Sequence, residues 1–236
     1  MASDVPASVG QAGIGEAIEH GGVTYKAMDV IVDASQGFWL FGYGSVVWKV
    51  DFEHDKEVNC SVKGLARRFW QASPDHRGTP DHPGRVCTLL EADVALELEG
   101  VPNPSAEAVY SSEVHGKAFH VPASAGLDVM RGLLFREKAG YAQKLVTVTT
   151  EAGDSIEALA FVGTDDNEHF AGYEPPEAVA RVIAASHGPS GPNIEYFLKL
   201  FVALGPSRRD AHLQAVYDCL KAEHAGALEA AEKALG

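Results

Sequence analysis

FWLFGYGSV, residues 38–46, is an apolar run that breaks into two glycines one residue apart. Phe38–Phe41 is predicted to form a short strand, and Gly42 and Gly44 to turn the chain at its end. Glycine lets the backbone adopt φ > 0 and approach a ligand closely. Successive N–H groups in such a turn can form a nest for an anion, and Ser45 adds a hydroxyl. The segment Tyr43, Gly44, Ser45 and Val46 would therefore suit a carboxylate or an oxyanion. Taken alone, the motif reads first as a hairpin turn. It is not GxGxxG, so no nucleotide is indicated.

Outward from this turn the pattern is strands first and helices later. Strands are predicted at Glu57–Trp70, Arg85–Leu90, Val114–Val121, Gln143–Thr149 and Ile156–Val162. Gln143–Thr149 alternates Leu145, Thr147 and Thr149 against Val146 and Val148, whereas Ile156–Val162 is mixed. Pro175 and Pro176 suit the first turn of a helix through Ala185. Asn193 can cap a helix with Ile194, Phe197, Leu198 and Phe201 on one stripe. Ser207 can cap a last one carrying Leu213, Val216, Tyr217 and Leu220. The order is no repeated βαβ unit, so the expected class is α+β: a mixed β-barrel or strongly bent sheet with surrounding helices.

The expected organisation is one domain over 38–222 with additions. Residues 1–37 read as a poorly ordered leader with one strand near Val30–Val32, 92–112 as an acidic, turn-rich surface insertion, and 223–236 as a helical tail. The chain has 236 residues, 46% of them apolar, enough for a packed core. Its net charge of −14 argues against nucleic acid or an acidic membrane as partner. Cys60, Cys87 and Cys219 are sparse and lack a CxxC pair, which suits reduced thiols. No Lys or Arg precedes Lys26 and no apolar run could span a bilayer, so a cytoplasmic location is expected. The sequence points to no protein partner.

One more helix, 124–138, lies between strands. Leu127, Met130, Leu134 and Glu137 are spaced for one face. Glu137 then ends an apolar stripe, with Arg136 and Lys138 turned about 100° aside. Burial there would raise its pKa, as a general base for an amine requires. A solvated last-turn glutamate is the alternative the pattern leaves open. Arg77, in the loop Asp75-His76-Arg77-Gly78, could pair with a substrate carboxylate. Tyr196 could reach the pocket from the start of its helix. His76 and His82 have no known ligand spacing, so no metal is expected. No cysteine stands in a nucleophile context.

Six motifs in order carry a resemblance: FGYGSVVWKVDF (41–52), RRFWQASPDHRGTP (67–80), PGRVCTLLE (83–91), FREKAGY (135–141), VGTDDNEHFAG (162–172) and GPSGPNIEY (188–196). Together they resemble the ChaC-type glutathione-specific γ-glutamylcyclotransferases over residues 38–222. The resemblance implies a mixed β-barrel with surrounding helices, a YGS-type loop that holds the γ-glutamyl group, and Glu137 as the base. It implies a lyase that converts glutathione to 5-oxoproline and Cys-Gly without a cofactor. Two positions depart from the family's pattern: Val46 stands where Leu is usual, and Phe161 where Tyr is often found. Cyclotransferase action on other γ-glutamyl compounds, and a non-catalytic binding role, stay open as alternatives.

Overall fold

In a computed structural model, described for residues 32–136, 141–164 and 167–235 and for the backbone of 18–20 and 23–25, the strands close into a barrel. The hairpin β1 (Ile18–His20) and β2 (Val23–Tyr25) comes first. The barrel order is β3 (Phe38–Gly42), β7 (Glu113–Val121), β4 (Lys56–Lys63), β8 (Tyr141–Thr150) and β9 (Ser155–Gly163). β9 returns to β3 in parallel, with Leu40 opposite Leu159, while the other pairs are antiparallel. The expected Val30–Val32 strand falls largely outside the described residues.

The predicted strand Glu57–Trp70 is two strands. Gly64, at φ 78°, turns β4 into β5 (Leu65–Ser73). No atom lies near where its Cβ would be, so the left-handed conformation alone selects glycine there. β5 pairs with β6 (Gly84–Glu91) in a hairpin outside the barrel, with a bulge between Arg68 and Gln71.

Burial explains which strand patterns were readable. In β8, Val146 and Val148 are buried while Leu145 and Thr147 face out, hence the clean alternation. In β9 both faces are covered. Ala158, Ala160 and Val162 join Phe41, Cys60, Ala118 and Val148 in one cluster. Leu159 and Phe161 join a second cluster beneath helix α3 (Gly126–Arg136). A strand buried on both sides loses its period of two.

The α3 face differs from the expected stripe. Val129, Met130, Leu133 and Leu134 are buried, but Leu127 is 44% exposed. The segment 92–112 forms two short helices, α1 (Ala92–Leu98) and α2 (Ala106–Ser111).

The C-terminal layer contains α4 (Pro176–Ala185), the short hairpin β10 (His187–Gly188) and β11 (Gly191–Pro192), α5 (Asn193–Leu204), α6 (Ala211–Glu223) and α7 (Ala225–Leu235). Two expected caps are replaced. Asn193 is wholly buried inside the first turn of α5. Its Oδ1 accepts the Arg85 N–H (2.6 Å) and its Nδ2 donates to the Arg85 carbonyl (2.8 Å), so it bonds β6 as a strand would. α6 is capped by Asp210, which accepts the Leu213 N–H at 2.8 Å, while Ser207 lies in a 3-10 turn. Among the described residues no helix is long and apolar enough to cross a membrane.

Asp210 also ties this layer to the strands. Its Oδ2 faces Arg67 Nε at 3.5 Å, and the fully buried Arg67 donates to the His115 carbonyl on β7. Beside them, His212 accepts the Phe69 N–H through Nε2 at 3.1 Å. Burial first, and then the Arg68 charge, lower its pKa to about 4.

Two stability predictions follow from this junction. Arg67→Ala strands a carboxylate that has lost its partner and should cost about 3–5 kcal/mol in denaturant unfolding. His212 is neutral when folded but protonates near pH 6.5 when unfolded. Its contribution is therefore complete above pH ~6.5 and is lost as the pH falls to about 4, on the order of 3 kcal/mol. Unfolding free energies measured across that window should fall less steeply in His212→Gln.

Candidate active site

The turn after β3 is shaped by two close approaches. A Cβ on Gly42 would sit 2.9 Å from Val46 Cγ1, so Val46 folds back over the end of the strand. A Cβ on Gly44 would sit 2.9 Å from Cys87 Sγ and 3.4 Å from the Tyr196 hydroxyl. Gly44 has φ −117° and ψ −133°, so the expected positive φ is absent. Crowding from below, not left-handed geometry, selects glycine at 44.

Ser45–Val47 then forms a 3-10 turn. The Val47 N–H bonds the Gly44 carbonyl at 3.0 Å, and the Trp48 and Lys49 N–H groups both bond the Ser45 carbonyl. The N–H groups of Ser45 and Val46 precede the first bond of the turn. Among the described residues neither has a partner, as expected of donors at a helical start. Tyr43 anchors the other side: it is buried, and its hydroxyl donates to the Phe161 carbonyl at 2.7 Å. The Phe161 ring lies in the apolar cluster under α3.

Cys87 is the floor. Its sulfur lies 3.2 Å from the Tyr196 hydroxyl and 4.0 Å from the Tyr43 carbonyl. Burial pushes its thiol up to about 11, so it is a neutral packing group and no nucleophile. Burial likewise raises the Tyr196 phenol. The Tyr196 ring is held edge-on by Trp48, with centroids 5.2 Å apart, and by Phe69.

Arg77 stands 5.8 Å from the Tyr196 ring. Its Nη1 donates to the Pro192 carbonyl at 3.0 Å and lies 3.6 Å from Glu195. Among the described residues its guanidinium's polar contacts are with the 192–195 segment, and it reaches the turn through Tyr196.

The structure thus gathers Tyr43, Gly44, Ser45, Val46, Tyr196 and Arg77 around Cys87. Glu137 lies outside the described residues. Cys87 was missed because a buried thiol beneath a turn leaves no periodic or spacing signal. Exposed His76 lies beside Asp75 and Ser190, and His82 is exposed. Among the described residues no group of three or more His, Cys, Asp or Glu converges.

Beyond the turn, a cleft of about 520 Å3 opens between residues 51–53 and α3. Asp51, Glu53 and Asp128 line it, and among the described residues none of the predicted site residues does.

Gly44→Ala should be destabilised by about 1–3 kcal/mol, because the new methyl meets a packed sulfur. Adding Cys87→Ala removes that sulfur and should recover part of the loss. Thermal midpoints of the two single variants and the double variant check this, and additive losses would contradict it.

The model of the ChaC-like protein family matches residues 38–223. The glutathione-specific γ-glutamylcyclotransferase of Saccharomyces cerevisiae is 34% identical over 203 residues, spanning 72% of this chain and 86% of the relative. The glutathione-specific γ-glutamylcyclotransferase 1 of Homo sapiens is 38% identical over 192 residues, spanning 78% and 79%. A crystal structure of the yeast cyclotransferase specific to glutathione aligns with TM-score 0.71 at 31% identity, covering 80% of this chain and 98% of that one. The barrel, the crowded glycine turn and these matches agree: this chain belongs to the ChaC-like family.

Proposed function

We propose that this chain is a glutathione-specific γ-glutamylcyclotransferase that releases 5-oxoproline and Cys-Gly in the cytoplasm. The observation that carries the reading is the pair of Ser45 and Val46 N–H groups, without partners among the described residues and held on a buried floor, in a chain related to such enzymes. Sparse, unpaired cysteines fit the reducing compartment.

The substrate supplies its own nucleophile. The α-amine of the γ-glutamyl group attacks the γ-carbonyl carbon, forming the ring C–N bond. The bond from that carbon to the cysteine nitrogen then breaks. The α-ammonium gives up two protons in becoming the ring N–H, and the departing nitrogen takes up two in becoming the Cys-Gly ammonium, so no water is consumed. Intramolecular attack gains up to ~7–11 kcal/mol when the ends are well oriented. The turn's task is to hold the flexible chain bent, with the Ser45 and Val46 N–H groups on the α-carboxylate or the developing oxyanion.

Glu137 is assigned as the base. Leu133 and Leu134 are buried on α3, and Glu137 follows them in sequence by four and three residues. Proton transfer from an α-amine near ~8 to a carboxylate near ~4.3 is uphill by about 5 kcal/mol, a gap that burial narrows. Tyr196 and Arg77 are assigned to the walls of the site, Tyr196 under the turn and Arg77 behind its ring.

Purified wild type should release 5-oxoproline and Cys-Gly from glutathione, and γ-Glu-Ala should be a far poorer substrate. Glu137→Gln should lower kcat by about 10²–10⁴, the usual range for a general base. Chromatographic product analysis decides it. A near wild-type rate in Glu137→Gln would remove the assigned base, and equal turnover of γ-Glu-Ala would remove the specificity.

A further inference from the structure

We propose that Lys49 sets specificity by receiving the glycine carboxylate of glutathione. This rests on the reaction proposed above. Glutathione carries two carboxylates, and the protein carries a net charge of −14. A local cation is needed to hold the outer carboxylate, and among the described residues the others around the turn are engaged. Lys117, opposite Gly42 in the β3–β7 register, lies 2.5 Å from Glu57. Arg77 bonds Pro192 and Glu195, Arg85 bonds Glu174 through both oxygens, and Arg67 faces Asp210. Lys49 is exposed, and among the described residues its ammonium has no partner.

Its backbone fixes where it stands. The Lys49 N–H bonds the Ser45 carbonyl at 2.8 Å, an i to i+4 closure that sets Lys49 one turn from Ser45 on the same side. One helical turn is about 5.4 Å. In an extended glutathione the glycine carboxylate lies two residues, about 7 Å, from the γ-carbonyl. With the γ-glutamyl end at the Ser45 and Val46 N–H groups, a four-carbon lysine stem spans the remainder. The sign of the neighbouring surface supports this placement: Asp51 and Glu53 line the cleft just beyond Lys49 and would repel a carboxylate that passed it.

The test is calorimetric titration of Glu137→Gln and Glu137→Gln/Lys49→Glu, so that the peptide is not consumed. The ligands are glutathione and its glycine ethyl ester. An exposed pair is worth a factor of up to about five, and charge reversal roughly doubles that. Lys49→Glu should weaken glutathione binding about tenfold. The ester should bind the Lys49 protein about three- to fivefold more weakly than glutathione does, and Lys49→Glu should weaken ester binding less than twofold. In an otherwise wild-type background Lys49→Glu should raise KM and leave kcat within about twofold, and the KM difference should shrink in high salt. Equal weakening of both ligands, or of neither, overturns the assignment. Absence of 5-oxoproline from the wild type would instead strike the proposed reaction.

Discussion

The contact between the bare Cα of Gly44 and the sulfur of Cys87 governs the site. It leaves no room for any side chain at 44, so the turn must lie flat on β6. The same sulfur touches the Tyr196 hydroxyl, so the start of α5 is fixed by the same group. Tyr43 fastens the turn's other flank to β9 through the Phe161 carbonyl. Three distant segments therefore meet beneath four residues, and the Ser45 and Val46 N–H groups point from a surface that cannot easily move. Preorganisation of this kind matters most where donors must already face a developing charge.

That floor is itself held by a buried charge. Arg67 reaches across to β7 and pairs with Asp210, which also caps α6. Such a pair adds little net stability over an apolar substitute, since both ions must be desolvated. It is demanding about geometry, however, and this one joins barrel, hairpin and helical layer at a single point. His212, neutral in the same pocket, accepts the Phe69 N–H, and the Phe69 ring packs against Tyr196. The junction thus lies one ring away from the site.

What the sequence revealed depended on whether the signal was local. β8 was legible because one face meets water. β9 was not, because its alternate residues enter two different apolar clusters. Gly64 ended a strand that composition alone ran through to Trp70, since the residues on either side have the same pattern. Asn193 has the chemistry of a cap, but its amide is taken by Arg85, 108 positions away in the chain. The GYGS turn was found in the right place for a partly mistaken reason. Glycine at 44 is demanded by Cys87, a partner that no spacing rule reveals. Leu127 misplaced the α3 stripe because an exposed leucine looks the same in sequence as a buried one.

The proposed chemistry accounts for how little reactive equipment this site displays. When the attacking amine and the scissile carbonyl belong to one molecule, the protein needs shape, a place for negative charge and a single proton acceptor. Cys87, with its thiol pushed up to about 11, offers no competing nucleophile although it sits closest to the turn. Tyr196, its phenol also raised by burial, stays a neutral hydroxyl engaged with sulfur. Backbone N–H groups can meet a carboxylate without adding a fixed cation that would compete for the base. That choice makes sense only if the proton acceptor is to remain weakly paired, because a nearby arginine would depress its pKa and widen the gap to the amine. Arg77 is engaged behind the Tyr196 ring, and Lys49, exposed and without a partner among the described residues, stands one turn from Ser45.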